Sequence, residues 1–274
     1  MFLQMLLAEN RTLNLTTITD PDAVRVRHFE DSLAAVPLIE QMAAALRPAP
    51  QSAESGESGL SLMDVGSGAG FPGLPLAIAL PWCRVTSLEA TGKKAHFQEK
   101  VAAALGLRNV TVIHDRAESL AHRDEYREAF DVAVARALAA LPLVAELTLP
   151  FVKVGGHAIA WKGPGADPEI APAQAACEKL GGAAITQFPY ILPDIHALPD
   201  THALPDIHAL PDVASRAPLA CPGPGAGPFS EHASGPSSEP ASGLRLIVFE
   251  KTGLTPQLYP RPAHLLKKRP LGNA

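Results

Sequence analysis

The feature that most constrains this chain is the run Asp64-Val65-Gly66-Ser67-Gly68-Ala69-Gly70-Phe71-Pro72-Gly73, lying where a strand-like stretch ends and a helical pattern begins. Glycines at 66, 68 and 70 permit a tight turn and let a ligand lie against bare backbone. Pro72 suits the first turn of the helix that follows. In the dinucleotide fingerprint a third glycine would fall at position 71, which is phenylalanine here, so the spacing disfavours a nicotinamide enzyme. Some twenty residues on, a second strand-like run ends at Glu89, where an α/β nucleotide fold places a carboxylate on ribose hydroxyls. The plainer alternative is a surface glutamate at a strand end. Ala90 and Thr91 would follow the edge of the same pocket.

The pattern downstream alternates. Strand-like runs are 62–65, 84–88, 109–114, 130–135 and 156–161, and helical segments 73–80, 93–105, 138–149 and 168–180 lie between or after them. Strands separated by helices imply βαβ units and a parallel sheet. A later pair, 184–191 and 244–251, has no helical pattern between its members and reads as an antiparallel hairpin. Upstream, Asp20-Pro21 reads as a helix cap followed by proline at the first helical position. Val26, Phe29, Leu33 and Val36 then recur at helical spacing, and Pro37 is expected to kink or split that helix before Ile39, Met42 and Leu46. The expected organisation is a helical segment and flexible connector over 1–59, then an α/β domain over 60–274 interrupted at 193–243.

That interruption opens with PDIHAL, PDTHAL and PDIHAL in tandem and continues rich in Pro, Gly, Ser and Ala. Proline every sixth residue prevents a continuous helix or central strand, and the apolar content is too low to offset ordering entropy, so a disordered hairpin tip is expected. A metal tract through His196, His202 and His208 is the sharper alternative; no metal is expected, because no fixed backbone brings ligands together. Cys83, Cys177 and Cys221 show no CxxC spacing and suggest neither a disulfide framework nor zinc. The opening MFLQMLLAEN lacks a basic leader, and no apolar run is long enough for a membrane span, so the cytoplasm is the expected compartment.

A net charge of −5 argues against attachment to nucleic acid by bulk charge, though a local basic patch could still serve. Residues 244–274 hold six basic side chains and one acidic, leaving −10 for the rest. This is a pointer to an anionic partner, and a solvated tail accounts for it equally well. The rim of the predicted sheet carries further candidates. His114-Asp115-Arg116-Ala117-Glu118 closes the third strand, where backbone groups could read an adenine edge and Glu118 could as well be a helix-start residue. The fourth strand runs into Ala135-Arg136-Ala137 and the fifth into Trp161-Lys162-Gly163. Arg136 could hold a cofactor carboxylate or a phosphate; Lys162 is balanced between that and a solvent lysine.

NLTTITDPDAVRVRHFEDSL, DVGSGAGFPGLPLAI, GKKAHF, DRAE, FDVAVARALAAL, WKG and YPRP followed by KKRPL together closely resemble the RsmG (GidB) family of bacterial 16S rRNA guanine-N7 methyltransferases. The likeness spans nearly the whole chain outside 47–61 and 193–243. It implies a Rossmann-like class I methyltransferase fold, with S-adenosyl-L-methionine as cofactor. It implies cofactor contacts from Gly66, Gly68, Phe71, Glu89, Ala90, Thr91, Ala117, Glu118 and Arg136. Asn14, Arg27, His28, Asp31 and Ser32 would belong to a functional N-terminal segment, although spacing alone makes His28 a helix-packing residue. Arg27, His28, Lys162, Arg261, Lys267 and Lys268 are the substrate-side candidates, facing 16S rRNA or the small ribosomal subunit, and a monomer is expected. Two departures stand out. The family begins with a further helix before the asparagine-bearing NLT segment, whereas Asn10 comes almost at once here, which implies a shortened lid or a misassigned start. Pro262 also replaces a second basic residue in the YPRP segment.

Guanine N7 carries a lone pair and no proton, so its methylation needs no general base and rests on positioning. Catalytic residues proper are therefore unassigned, with Arg136 and Lys162 as candidates. The fourth strand lacks the Asn/Asp-Pro-Pro-aromatic motif of amino-group methyltransferases, and no strand end carries a cysteine nucleophile. The rival readings are a class I methyltransferase acting on a small molecule or protein, and a cofactor-binding ribosome-associated module without catalysis.

Overall fold

The computed structural model describes residues 1–46, 59–195, 243–266 and 268–272. A seven-stranded sheet in the order β3-β2-β1-β4-β5-β7-β6 forms its centre. The strands are β1 (Ser61–Val65), β2 (Arg84–Glu89), β3 (Val110–His114), β4 (Phe130–Arg136), β5 (Val152–Lys162), β6 (Gly182–Pro189) and β7 (Arg245–Lys251). β1 to β5 run parallel, and β7 pairs antiparallel with both β5 and β6. The fold is therefore the expected mostly parallel α/β sheet with one antiparallel strand. β1 is buried at every position, as a central parallel strand covered on both faces must be.

Helices cover both faces. On one, α4 (Val36–Leu46) and α5 (Gly73–Ala79) set Leu38, Ile39, Met42 and Leu76 against Leu62, Val85, Val132 and Val134. On the other, α8 (Leu141–Thr148) and α9 (Asp167–Lys179) pack Val144, Ala145, Ala173 and Ala176 on Met63, Ala133, Ala158 and Phe249. α6 (Gly92–Ala104) flanks β2 and β3, and α7 (Ala117–Leu120) follows β3.

The N-terminal segment holds two differences from the sequence reading. The sequence reading gives the opening run no element of its own within the helical segment; α1 (Phe2–Leu13) forms there, ends at Asn14 in the left-handed conformation (φ 48°), and buries Phe2 and Leu6. The expected helix after Asp20 is broken into pieces. Asp20 caps α2 (Pro21–Val24) through Ala23 N at 2.8 Å, a π-helical turn spans Arg25–Glu30, and α3 (Asp31–Leu33) follows. The break falls at Ala34-Ala35, and Pro37 sits in the first turn of α4, where its missing N–H costs nothing. α8 starts at Leu141 rather than 138, because Ala137 turns out of the sheet at φ 52° and Pro142 occupies the first helical turn. The connector (47–58) and most of the repeat insertion (196–242) lie outside the described residues, as does the side chain of Lys267.

Behind β7 the chain returns through α10 (Ala263–Leu266). Arg261 donates from Nε and Nη2 to Glu146 at 2.7 and 2.5 Å, and its backbone N–H bonds the same carboxylate at 3.0 Å. Glu146 is fully buried on α8, so the pair fastens the C-terminal segment to the sheet's helical layer. The guanidinium proposed for RNA is thus committed to the fold, its Nη1 also reaching Arg269 O at 2.7 Å. Arg261→Ala would strand a buried carboxylate, a loss of about 3–5 kcal/mol. Urea unfolding should show that drop; a change below about 1 kcal/mol would contradict the role.

Candidate functional site

The glycine-rich turn joins β1 to α5 at the C-terminal edge of the sheet, where open α/β folds bind ligands. Gly66 N and Ser67 N bond Leu88 O at 2.9 and 3.1 Å, pinning the turn to β2. Gly68 adopts φ +60° with open space where a side chain would stand, so the backbone there is bare. Glu89, nearly buried, holds the cradle: Oε2 accepts from Gly68 N at 2.8 Å and Oε1 from Thr91 N at 2.7 Å. Each oxygen keeps a further lone pair for a ligand hydroxyl. Ala90 and Thr91 are exposed beside it, and Ala117 and Glu118 begin α7 on the same edge, with Arg116 Nη1 at 3.5 Å from Glu118 Oε1.

Two polar residues under the turn complete it. Gln98, fully buried on α6, donates to Ser67 Oγ (2.7 Å) and Gly68 O (2.9 Å) and accepts from Ser87 Oγ (2.5 Å). The sequence reading missed it; the available signal was a glutamine on the apolar stripe of α6 between Phe97 and Val101. Asp64 is wholly buried and accepts from Gly73 N at 2.8 Å, and a side chain at 73 would collide with the carboxylate. Its Oδ1 has no hydrogen-bond partner among the described residues. Burial pushes the carboxyl up to about 7, against the opposing pull of the Gly73 amide and Arg136. The acid lies buried behind the turn, where a cationic ligand such as the sulfonium and ammonium groups of S-adenosylmethionine would favour its charged form through the field alone.

Phe71 does not present its ring to that cradle. The ring stacks on Phe2 (5.0 Å, 8°) and His28 (5.1 Å, 29°), meets Phe29 edge-on (5.1 Å, 90°), and is only 6% exposed. Its side chain docks the N-terminal segment instead, which leaves only its backbone facing the turn. His28 bonds Thr16 Oγ1 at 2.7 Å and faces Arg136 Nη2 at 3.4 Å. Burial and the guanidinium lower its pKa to about 4, so at neutral pH it offers no cation to a phosphate and behaves as the packing residue its spacing suggested.

Arg136, at the end of β4, lies 5.3 Å above the Phe71 ring. Its Nη1 donates to Asp31 Oδ2 (2.8 Å), His28 O (3.2 Å) and Arg27 O (3.3 Å). The Arg27 side chain is exposed. Asp31 also accepts from the Tyr190 hydroxyl at Oδ1 (2.5 Å) and, through its backbone oxygen, from the Trp161 indole (2.7 Å). Burial and the facing carboxylate raise the Tyr190 pKa, so the phenol stays a donor. Lys162 donates to Glu169 (2.7 Å) and Ala139 O (2.9 Å) and is largely covered, which places it in the rim's internal bonding. Lys268 is exposed. Among the described residues no cluster of His, Cys, Asp and Glu could hold a metal, and no helix is long and apolar enough to cross a membrane.

The Asp64 pKa, raised from 3.8, means that the native state binds a proton the unfolded chain has released. Without ligand, stability should therefore fall as pH rises from about 4 to about 7 and level off above. Asp64→Asn should remove that slope in urea unfolding across the same window; an unchanged pH profile would refute the assignment.

Residues 1–188 match the family described as rRNA small subunit methyltransferase G. The chain is 40% identical over 193 residues to the ribosomal RNA small subunit methyltransferase G of Leuconostoc citreum, covering 70% of this chain and 75% of that one. Its counterpart in Halalkalibacterium halodurans is 41% identical over 184 residues, 67% of this chain and 71% of that one. The one in Carboxydothermus hydrogenoformans is 32% identical over 270 residues, 98% of this chain and 89% of that one. A family match over more than half of the chain, with the glycine turn, Glu89 and Arg136 inside it, settles the kinship: this chain belongs to the rRNA small subunit methyltransferase G family.

Proposed function

We propose that this protein transfers the methyl group of S-adenosylmethionine to N7 of a guanine in the 16S RNA of the small ribosomal subunit. The observation that carries the reading is the bare-backbone cradle at Gly68, held by Glu89 and backed by the buried Asp64 at Gly73, in a chain of this family. Gly66, Gly68, Glu89, Ala90, Thr91, Ala117 and Glu118 would line the cofactor, Glu89 accepting from ribose hydroxyls. S-adenosylmethionine supplies an electrophilic methyl group on a sulfonium. The buried Asp64 would balance its positive charge through the field, and Arg136 would orient its carboxylate end.

The residues beyond β4, Ala137-Leu138-Ala139, offer no proton acceptor, and N7 requires none. The protein's contribution is then to hold the lone pair of N7 in line with the methyl carbon and to exclude water. N7 faces the deep major groove of A-form RNA, which side chains reach poorly, so a single-stranded or opened element is the expected target. Exposed Arg27 and Lys268, with Arg269 beside the latter, would contact the RNA phosphates. We read the protein as a monomer acting in the bacterial cytoplasm.

The test is tritium transfer from labelled S-adenosylmethionine to bacterial small subunits, with the product nucleoside identified by mass spectrometry. Label in 7-methylguanosine of 16S RNA is expected, with RNA affinity falling as salt rises. Cofactor binding without label in any RNA would overturn the reading, and label in another nucleoside would overturn the N7 assignment.

A further inference from the structure

Asp31 is where four segments meet, and its structural bonds do not exhaust it. Arg136 and Tyr190 each take one carboxylate oxygen, and Trp161 takes the backbone oxygen. A carboxylate has about four acceptor positions, so about two remain. The side chain is 14% exposed and borders a cavity of about 290 Å³ whose walls include Ala137, Leu138, Trp161, Lys162 and Tyr190. Those walls are mainly apolar and aromatic, the setting in which a planar ring is held and a fixed acceptor pair decides which ring. Of the four RNA bases, guanine alone places a ring N–H beside an amino group, giving two adjacent donors. Adenine and cytosine pair one amino donor with an acceptor, and uracil flanks its N–H with two acceptors.

We propose that Asp31 accepts the N1–H and N2–H of the target guanine in this cavity, selecting guanine and stabilising the charge that its ring acquires. The assignment rests on the guanine-N7 reading above. In the transfer the N7 lone pair forms the new N–C bond, the C–S bonding pair departs with sulfur, and no proton is lost. The ring therefore gains one positive charge, and its N1–H becomes a stronger donor as the bond forms. A carboxylate on that edge binds the transition state more tightly than the ground state. N7 lies on the opposite side of the purine from N1 and N2, which leaves it clear of Asp31. Tyr190 and Arg136 are positioning residues here, fixing the plane of the carboxylate.

Inosine lacks only the amino group of guanosine, so it deletes one of the two donors. With RNA carrying inosine at the methylated position, the wild-type protein should lose about tenfold or more in kcat/KM relative to guanosine. Asp31→Asn should be slower on guanosine and should show an inosine penalty below about threefold, because the partner of that donor has changed. Asparagine keeps an acceptor oxygen for Arg136, so cofactor affinity, measured by calorimetry, should remain within about threefold, reporting that the joint to Arg136 and the cradle are intact. If Asp31→Asn does not fold, Tyr190→Phe releases the carboxylate from one side and should shrink the inosine penalty severalfold with cofactor affinity unchanged. Equal inosine penalties in wild type and variant, or none in wild type, overturn the proposal alone. No methylation of guanosine RNA by the wild type overturns the functional reading and this assignment with it.

Discussion

The guanidinium of Arg136 couples the two halves of the site. It stands at the end of a central parallel strand, largely covered, and a covered cation is tolerable only with partners. Those partners all come from the N-terminal segment: the Asp31 carboxylate and the carbonyls of Arg27 and His28. The Phe71 ring beneath it adds a cation–π contact and belongs to the glycine turn. One side chain thus joins strand β4, the glycine turn and the helices that precede the sheet. The π-helical turn over Arg25–Glu30 fits this role, because it presents the Arg27 and His28 carbonyls to one donor.

From that joint the site divides into the side we propose for the cofactor and the side we propose for the substrate. Toward β2 and β3, the turn is set by backbone bonds to Leu88 and by the side chains of Glu89, Gln98 and Asp64. Toward β5 and β6, Trp161 and Tyr190 close on Asp31 and border the cavity. The aromatic stack of Phe2, Phe71 and His28 lies beside the joint and anchors α1 on the turn. The fold therefore builds the proposed substrate wall out of a segment that also packs on the glycine turn. Occupancy of one side is expected to be felt on the other through these shared contacts.

Much of the scaffold was legible because its signals are local. The glycine turn, the strand–helix alternation and the Asp20-Pro21 cap each depend on residues a few positions apart, and each is found in place. What escaped depends on contacts between residues far apart in the chain. Tyr190 meets Asp31 across 159 positions, and Arg136 meets it across 105. Lys162 looked like a free cation on the rim and Arg261 like one of a basic C-terminal segment, but their carboxylate partners, Glu169 and Glu146, could be matched to them only in three dimensions. His28 is the converse case: helical spacing suggested packing, and burial against Phe71 bears that out. α1 was not delimited because its helix depends on distant partners: Phe2 and Leu6 dock on the glycine turn and α6, far along the chain.

The central claim is that Arg136 holds the N-terminal segment on the rim and thereby shapes the cofactor site. Hydrogen–deuterium exchange of residues 21–33 in Arg136→Ala, run beside calorimetric titration with S-adenosylmethionine, tests it most directly. The account predicts faster exchange in that segment together with a loss of about tenfold or more in cofactor affinity. Unchanged protection of 21–33, or full cofactor affinity with the segment released, would contradict it.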